Sequence, residues 1–431
     1  MTAPVSRPPM RLAYFFTELP ALEGTFPTAE IEAMADRGFQ IEVFVLRSRL
    51  ATGTGADRLL ARFPIHRSGY LTPATLLATA AAFLRHPLRF VSGVVRILRD
   101  TRGYPNLAVK SLGVIPKCCL FARQVRRGRF DLVWSYWASL PGRAAWWISR
   151  FSDVPYGTWT HAGNDIYNRR HQTEPALKTT LRDATLICTC NQTNVEYFRT
   201  ILPEAVFRRV VYQPHGIDLA RFAVRAVAGA AGSATDVRPG RDAARPLRLL
   251  SVGRLAPAKG FVHAVEACAR LRDRGRRVHY RIIGDGPMRG SLQTRINELG
   301  LESEVELPGE MPQSALPAEY AAADVFVMPS VVGPLGARDG LPNVLLEAMA
   351  CGLPAVGSDA VGIPEAIRPG ETGELAPPAD PAGLADAIER IAGDPARAAA
   401  MADAARGLVE ERYARAACMD QLAATFRRHA R

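Results

Sequence analysis

Short apolar runs alternate with amphipathic segments along most of this chain of 431 residues. The apolar runs that are typical of buried strands are residues 11–17, 41–46, 131–136, 155–160, 184–188, 247–252, 278–283, 305–307, 325–328 and 354–357. Helical periodicity fills many of the intervals, as in residues 28–37 and 261–274. Strands that alternate with helices are characteristic of parallel sheets with crossover connections. The pattern therefore predicts an α/β protein.

Residues 224–246 interrupt the alternation with an Ala-, Gly- and Arg-rich stretch that has no periodicity. Such a stretch is typical of a linker, and the chain is longer than one hydrophobic core usually organises. We therefore predict two Rossmann-like, doubly wound domains, residues 1–223 and 247–431, that face a central cleft. The last helix is expected to pack back on the first domain. Ligands of such sheets bind beyond the carboxyl ends of the strands.

The net charge of +12 is concentrated in the first half of the chain. Residues 1–225 carry an excess of 14 positive charges, whereas the remainder has a net charge of −2. Between Arg85 and Arg129 there are eleven basic residues and one acid, Asp100. The first half is therefore expected to meet an anionic partner. A pI near 9.7 suggests a nucleic-acid-binding protein as an alternative, but no such module is recognisable and the charge is local, so we expect no nucleic-acid partner.

Prolines divide the apolar and basic residues 73–127 into several predicted helices. A helix over residues 88–99 would place an apolar face beside Arg89, Arg96 and Arg99, as in interfacial helices on an anionic leaflet. The alternative is a core-facing helix with a solvated basic face. No apolar stretch reaches the ~20 residues of a spanning helix, no secretory signal pattern opens the chain, and seven cysteines without metal-type spacing suit a reducing compartment. These features predict a cytoplasmic protein, peripheral on the inner face of the membrane.

Residues 250–260 form the first candidate binding segment, in the order strand, loop and helix. Gly253 permits a sharp exit from the strand, and Arg254 and Lys259 precede a predicted helix N-terminus. Backbone N–H groups, the helix dipole and two cations would converge there on an anion such as a diphosphate. The alternative is that both cations are solvated surface charges. The P-loop pattern G-x-x-x-x-G-K-[ST] is absent.

The second candidate segment contains two carboxylates in an otherwise apolar setting. The residues at its start are Asp339, Gly340, Leu341, Pro342 and Asn343. Pro342 stands where a helix can begin, and Glu347 then falls inside an apolar helix, where an unpaired charge is costly. Ribose hydroxyls would supply a partner for that carboxylate. The alternatives are a capping role for Asp339 and a structural pair of Glu347 with an arginine.

Together these two segments resemble the family-4 glycosyltransferases with the GT-B fold. The family's G-R-x-x-x-x-K-G turn matches residues 253–260, and its E-x7-E spacing matches Asp339 and Glu347. Another family signature matches residues 320–330. The family's strand-end turn, near the nucleotide base, matches Gly284, Asp285 and Gly286. The resemblance covers residues 247–413.

The first half resembles, more patchily, the branch of that family that builds exopolysaccharides such as colanic acid. Residues 23–31 are similar to the branch motif S-E-T-F-I-x-x-E-I, residues 160–167 to T-A-H-A-x-D-I-Y, and residues 214–218 to N-G-I-D. The candidates for the acceptor or sugar side are Glu23, Gly24, Thr25 and His161. In two places the chain departs from the pattern. Asp339 replaces the usual Glu, and residues 135–137 read Ser-Tyr-Trp where the branch often has H-A-H-F.

The resemblance implies a role for each candidate residue. Arg254 and Lys259 would hold the diphosphate of a nucleotide-sugar donor, and Glu347 would bind its ribose. Asp339 would approach hydroxyls of the transferred sugar, and His161 would face that sugar from the other domain. A strand-end cap is the alternative for His161.

The same resemblance implies the reaction. A hexose would move from a GDP- or UDP-sugar to a lipid-linked or oligosaccharide acceptor, with retention of configuration and without a metal or cofactor. Double displacement needs a carboxylate nucleophile near the anomeric carbon, and none is identifiable from the sequence. We therefore expect a front-face substitution in which cations stabilise the leaving diphosphate. A nucleotide-sugar epimerase of the same fold is the alternative enzyme.

Overall fold

The chain folds as two compact units, which a computed structural model describes over residues 8–19, 26–47, 54–167, 173–222 and 245–429. The first unit comprises Met1–Cys190, Asn194–His215 and Met419–Arg431. The second comprises Asn191–Thr193 and Gly216–Cys418. The linker predicted over residues 224–246 lies almost entirely outside the described residues.

A seven-stranded parallel sheet organises the described part of the first unit. Its strands are β1 (Arg11–Phe16), β2 (Gln40–Val45), β3 (Ile65–His66), β4 (Leu132–Ser135), β5 (Tyr156–Thr160), β6 (Leu186–Thr189) and β7 (Val210–Tyr212). They lie in the order β3-β2-β1-β4-β5-β6-β7. The order therefore reverses between β1 and β4, which is where open sheets of this type bind ligands.

Helices connect the strands of the first sheet. They are α1 (Phe26–Asp36), α2 (Thr54–Arg62), α3 (Pro73–Arg85), α4 (Pro87–Asp100), α5 (Pro105–Gly113), α6 (Ile115–Arg127), α7 (Leu140–Ser152), α8 (Glu174–Arg182), α9 (Gln192–Ile201) and α10 (Glu204–Phe207). A single π-turn follows β5 over Ala162–Tyr167. The prolines predicted to divide residues 73–127 lie in the first turns of α4, α5 and α6, where the missing N–H costs no helical hydrogen bond.

The second unit repeats the same sheet topology with six parallel strands in its described part. Its strands are β8 (Leu247–Val252), β9 (Val278–Ile283), β10 (Val305–Gly309), β11 (Val325–Met328), β12 (Ala355–Ser358) and β13 (Glu374–Ala376). The order β10-β9-β8-β11-β12-β13 reverses between β8 and β11. The prediction of two doubly wound α/β sheets is confirmed.

The helices of the second half include the one that the periodicity predicts over residues 261–274. They are α11 (Phe261–Asp273), α12 (Arg289–Glu298), α13 (Leu316–Ala322), α14 (Asn343–Ala350), α15 (Pro381–Gly393), α16 (Pro395–Arg412) and α17 (Arg415–His429). In α17, Phe426 packs on Trp134 of the first unit's sheet, with 4.8 Å between the ring centroids. No helix in the described ranges is both long enough and apolar enough to cross a bilayer.

The core of the first unit contains a carboxyl group. Glu30 of α1 is 1% exposed. One of its oxygens accepts hydrogen bonds from the Tyr14 hydroxyl at 3.1 Å and from Trp134 Nε1 at 3.2 Å, and the other accepts from Trp159 Nε1 at 2.8 Å. Burial nevertheless raises the pKa of Glu30 from 4.5 to about 8, because the loss of hydration outweighs the hydrogen bonds that favour the carboxylate.

Glu30→Gln is expected to change the pH dependence of stability. The unfolded chain releases the Glu30 proton near the ordinary pKa of 4.5, whereas the folded protein retains it up to about 8. Between these values the free energy of unfolding contributed by Glu30 falls as pH rises, because the unfolded state binds fewer protons than the folded state. The neutral amide lacks this dependence. The melting temperature of the variant should therefore rise relative to that of the native protein between about pH 5 and about pH 8.

Glu32→Gln is the matched control, because Glu32 lies on the same helix but pairs with Arg58 near the surface. Its melting curve should follow the pH dependence of the native protein. A constant offset between Glu30→Gln and the native protein across this pH range would contradict the assignment of a neutral Glu30.

Candidate functional site

Two glycine turns meet at the carboxyl ends of β8 and β9. Gly284 follows β9 with φ 142°, and a Cβ atom there would lie 2.0 Å from the carbonyl oxygen of Gly253. No larger residue fits this approach. The amides of Gly253 and Gly284 donate to the carbonyls of Ile283 and Gly309 at 2.9 and 2.8 Å. These two glycines therefore shape the turn, and their N–H groups are already used within the protein.

Lys259 lies at the start of α11. It ends the 3-10 turn Pro257–Lys259, and Gly260 follows in the left-handed conformation at the N-cap with φ 64°. A Cβ atom on Gly260 would lie 2.0 Å from the carbonyl oxygen of Pro329, so the helix N-terminus is pressed against the exit of β11. Arg254, on the preceding loop, is exposed and forms no ion pair within the described residues.

The side chains of Lys259 and Asp339 meet at this helix N-terminus. Lys259 Nζ lies 3.0 Å from Asp339 Oδ2, and the buried Ser330 donates its hydroxyl to the same oxygen at 3.0 Å. Both partners of the ion pair are mostly buried, with side chains 16% and 23% exposed. The pair thus brings together the two candidate segments of the sequence, at the point where the strand order reverses.

Asp339 makes no capping hydrogen bond to α14. α14 has Pro342 as its N-cap residue and no side-chain capping hydrogen bond. The turn that precedes the helix is half-buried at Gly340, Leu341 and Asn343 and buried at Pro342. Asp339 is thus oriented by Lys259 and Ser330 instead of by the helix that follows.

Glu347 lies inside α14 and is 5% exposed. The Tyr320 hydroxyl donates to its Oε2 at 2.9 Å, and Gln313 Nε2 donates to its Oε1 at 3.3 Å. Burial raises the pKa of Glu347, and these hydrogen bonds and two nearby arginines partly oppose that shift. Arg221 does not pair with Glu347 directly but donates to Gln313 Oε1 at 2.6 Å. The expected alternative of a direct arginine pair is therefore wrong among the described contacts of Glu347.

In the first unit, His161 follows β5 and belongs to a hydrogen-bonded triad. Its Nδ1 lies 3.3 Å from Asp165 Oδ2, and its Nε2 lies 3.0 Å from His215 Nε2. Asp165 is fully buried and also accepts from the backbone N–H groups of His161 and Ser139 at 3.2 and 3.0 Å. Because a carboxylate accepts at Nδ1, neutral His161 has its proton there and accepts at Nε2, so His215 donates.

Sequence reasoning did not single out the partners of the candidate residues. Asp165 and His215 lie inside the branch motifs at residues 160–167 and 214–218, but only the fold brings them to His161. Tyr320 and Ser330 are the first and last residues of the family signature at residues 320–330. No sequence pattern indicated that Gln313 contacts Glu347.

Some candidates remain without a structural description. Glu23, Gly24 and Thr25 lie outside the described residues.

Asp285 is exposed, and its Oδ1 accepts from the Gly286 amide at 2.7 Å. Within the described ranges, no group of three or more His, Cys, Asp or Glu side chains is arranged to hold a metal ion.

A comparison with known families matches part of the second half of the chain. Residues 236–408 match the family model described as Glycosyl transferases group 1. The chain is 39% identical over 173 residues to the putative colanic acid biosynthesis glycosyltransferase WcaL of Escherichia coli (strain K12), a region that covers 40% of this chain and 39% of WcaL. It is 40% identical over 189 residues to the amylovoran biosynthesis glycosyltransferase AmsK of Erwinia amylovora, covering 44% and 46%. The match thus spans less than half the length of these curated relatives.

The likeness to solved structures extends over nearly the whole chain. Anabaena Alr3699/HepE in complex with UDP-glucose aligns with a TM-score of 0.68 at 18% identity, covering 97% of this chain and 99% of that chain. At this identity the likeness concerns the fold alone, and it agrees with the paired parallel sheets. Residues 236–408 therefore match the Glycosyl transferases group 1 family model, and the chain has the GT-B fold of two parallel sheets.

Proposed function

We propose that this protein transfers a hexose from a UDP- or GDP-sugar to a lipid-linked glycan acceptor, with retention of configuration, in exopolysaccharide or cell-envelope glycan biosynthesis. The observation that supports this most directly is the ion pair of Lys259 with Asp339 at the N-terminus of α11, in the same unit as the buried carboxyl of Glu347. A cation at a helix N-terminus suits a diphosphate, and a buried carboxyl suits ribose hydroxyls.

Lys259 is proposed to move from Asp339 to the donor diphosphate. Without the donor, the carboxylate at 3.0 Å compensates the charge of the lysine. A diphosphate offers more negative charge, and the unpaired Arg254 and the helix dipole add to its attraction. Release of Asp339 would let its oxygens accept from hydroxyls of the donor sugar, while Ser330 continues to orient the carboxylate.

Glu347 is proposed to accept hydrogen bonds from the donor ribose. The Tyr320 hydroxyl already occupies one carboxyl oxygen at 2.9 Å. The contact with Gln313 on the other oxygen is longer, at 3.3 Å, and is easily replaced by a stronger donor. Tyr320 therefore fixes the rotamer of Glu347, and its second oxygen is left for the ribose.

The proposed chemistry is a front-face substitution without a metal ion. The bond between the anomeric carbon and the diphosphate oxygen breaks while the acceptor oxygen bonds to the same face. The acceptor's proton passes to the departing diphosphate oxygen. Negative charge grows on that leaving group, where Lys259, Arg254 and the start of α11 stabilise it.

The relatives support this assignment by their names. WcaL and AmsK are named as glycosyltransferases of colanic acid and amylovoran biosynthesis. HepE has been solved with UDP-glucose on the same fold. A nucleotide sugar as donor and a growing glycan as acceptor are consistent with both.

Lys259→Ala is expected to reduce turnover at saturating donor by an order of magnitude or more. Loss of one charge-assisted contact to the leaving group is worth about 1.5–3 kcal/mol. Lys178→Ala is the matched control, because Lys178 forms an ion pair with Glu174 at 2.6 Å on the solvent-facing side of α8 in the first unit. Turnover measured by nucleotide release should be unchanged in the control. Near-native turnover in both Lys259→Ala and Arg254→Ala would exclude these cations from the diphosphate site.

Substitutions of Glu347 and Asp339 are expected to have different effects on ligand binding in calorimetry. Glu347→Gln should weaken binding of UDP or GDP alone, because its ribose contact is present in the free nucleotide. Asp339→Asn should leave nucleotide binding near the native value and impair transfer of the sugar. Equal losses for nucleotide and intact donor in both variants would indicate that the residues are structural. Formation of an epimerised donor without acceptor would favour the epimerase alternative.

The acceptor side of the proposal depends on an apolar surface of the first unit. Of fifteen large apolar residues that are exposed in the described ranges, eleven lie between residues 71 and 109. They are Leu71, Leu76, Leu77, Phe83, Leu84, Leu88, Val91, Val95, Leu98, Tyr104 and Val109. We name them the α3–α5 apolar face. Exposed apolar residues at this density mark an interaction surface.

α4 contributes exposed apolar residues to this face although its other side packs on the core. The helix predicted over residues 88–99 is present, and one side packs on the core through Phe90, Val94 and Ile97. The outward side carries exposed apolar residues, with Leu88 84% exposed, and also the exposed Arg89 and Arg99. α4 therefore packs on the core, as in the alternative from the sequence, but its solvated side is apolar as well as basic.

The charges beside the α3–α5 apolar face differ from the expectation. Arg89, Arg96 and Arg99 each pair with an aspartate, at 2.9, 3.1 and 3.0 Å. Beside this face, Arg85, Arg102 and Lys110 are exposed and form no ion pair with any described residue. Each lies next to an exposed apolar residue or two positions from one. Apolar side chains flanked by uncompensated cations suit the surface of an anionic bilayer, so we propose that this face docks there and meets a polyprenyl-linked acceptor.

Vesicle flotation should test this docking. The native protein is expected to float with phosphatidylglycerol vesicles and to dissociate as salt rises, since each basic residue near such a surface adds about 1 kcal/mol. Leu84→Gln with Leu88→Gln should abolish binding, and Arg85, Arg102 and Lys110 changed to Gln should weaken it strongly. Arg270, Arg276 and Arg277 changed to Gln are the matched control in the second unit. No flotation of the native protein at low salt would refute the membrane proposal, and a stable dimer that hides the face would identify a second copy as its partner.

A further inference from the structure

The sequence departs from its branch at residues 135–137, where Ser-Tyr-Trp replaces the frequent H-A-H. Ser135 ends β4, the strand next to the reversal of strand order in the first sheet. Tyr136 and Trp137 therefore stand at the carboxyl edge of the sheet, where ligands of doubly wound sheets bind. Tyr136 is fully buried, but Trp137 is only half-buried.

Trp137 is the exception among the tryptophans of this protein. All five lie within the described residues. The other four are at most 2% exposed, namely Trp134, Trp146, Trp147 and Trp159. The indole Nε1 of Trp137 has no hydrogen-bond partner within the described part of the chain, whereas Trp134, Trp146 and Trp159 donate theirs to carboxylates. A large aromatic ring is thus presented with an unused donor at its edge.

The surroundings hold this ring in place. Its centroid lies 5.9 Å from that of Phe16, 5.2 Å from that of Tyr136 and 6.1 Å from that of His161. The backbone just beyond it is fixed too, because the Ser139 amide donates to Asp165, the carboxylate that also binds His161. One buried carboxylate therefore sets the positions of both Trp137 and His161.

The chemistry of this surface suits a sugar ring more than a phosphate. Aromatic rings and the His161–Asp165 pair lie beside Trp137, and no lysine or arginine is among its described ring contacts. The charge of Arg143 acts on Asp165, but this arginine is only 3% exposed. A pyranose has an apolar face of C–H groups and a rim of hydroxyls. Aromatic side chains with polar tips recognise such amphipathic ligands, since the ring covers the apolar face and a few polar groups fix the orientation.

We infer that Trp137 is a specificity-determining residue on which the terminal sugar of the acceptor stacks, with its indole Nε1 donating to a hydroxyl of that sugar. This rests on the proposed function, because it assigns the acceptor to the first unit of a glycosyltransferase. It adds a binding surface for an uncharged pyranose that is separate from the α3–α5 apolar face proposed for the lipid. The departure from H-A-H then changes which acceptor the protein accepts.

The test uses the single accessible tryptophan as its reporter. Acrylamide should quench a component of the native emission that Trp137→Phe removes. The probes are the methyl glycosides of glucose, galactose and mannose, with glycerol at equal mass as the control for viscosity. At least one glycoside is expected to shield this component in the native protein. In the transfer assay, Trp137→Ala should raise the acceptor KM about fivefold to tenfold, a typical effect for loss of an aromatic contact, and Trp137→Phe should restore most of it.

A structural role for Trp137 predicts other results. Loss of transfer with a lowered melting temperature, or weaker nucleotide binding in Trp137→Ala, would overturn the inference. Tyr70→Ala, which removes an exposed ring of the first unit outside the α3–α5 apolar face, should leave the acceptor KM unchanged. If UDP or GDP binds in calorimetry but no glycoside shields Trp137, the inference that Trp137 binds a sugar is wrong and the proposed donor site is still supported. If glycosides shield Trp137 but no nucleotide binds, the inference about Trp137 is supported and the proposed function is wrong.

Discussion

The reversal of strand order, once in each parallel sheet, is the constraint on which the candidate chemistry depends. All strands of a parallel sheet end at the same edge, and at the reversal the connecting helices leave on opposite faces, so a gap remains. In the second unit this gap lies between β8 and β11, and Lys259 and Ser330 enter it from the two sides. In the first unit β1 and β4 flank the gap, and Trp137 follows β4.

Charge compensation links the residues of the second unit. A lysine at a helix N-terminus is unfavourably placed, because its charge opposes the helix dipole. Asp339 compensates Lys259 as long as no anion is bound. Glu347 is handled differently, since burial raises its pKa and neutral donors hold it in place. Asp339 is thus held by a charged partner that an anion could replace, whereas Glu347 is held by neutral donors. This difference suits the proposed roles, in which Asp339 would bind the transferred sugar and Glu347 the ribose.

The sequence predicted the central strands closely and the edges poorly. β8, β9 and β11 have the predicted bounds, because strands buried on both faces appear as uninterrupted apolar runs. β3, β7 and β13 were missed, since strands of two or three residues at a sheet edge leave no periodic signal. The two candidate segments of the second unit, with Lys259 in one and Asp339 and Glu347 in the other, were recognised from the spacing of these residues in the sequence.

Their partners were not predictable in the same way. Contacts such as Tyr320 with Glu347 and His215 with His161 join segments 27 and 54 residues apart, and only the tertiary fold specifies them. The arginines of α4 show the converse. Their amphipathic pattern predicted the helix, but the aspartate partners of Arg89 and Arg96 lie outside it, so the sequence overstated the uncompensated charge.

The contact of Phe426 with Trp134 has a consequence for how the molecule is made. The first unit is discontinuous in sequence, and the whole of Gly216–Cys418 lies between the last two of its three parts. A ribosome therefore completes the second unit before it synthesises the aromatic ring that closes the core around Trp134. During synthesis Trp134 of the first sheet lacks its contact with Phe426, while the second unit can already fold. In the nascent protein, the first unit is therefore the one more accessible to chaperones and proteases, although it leaves the ribosome first.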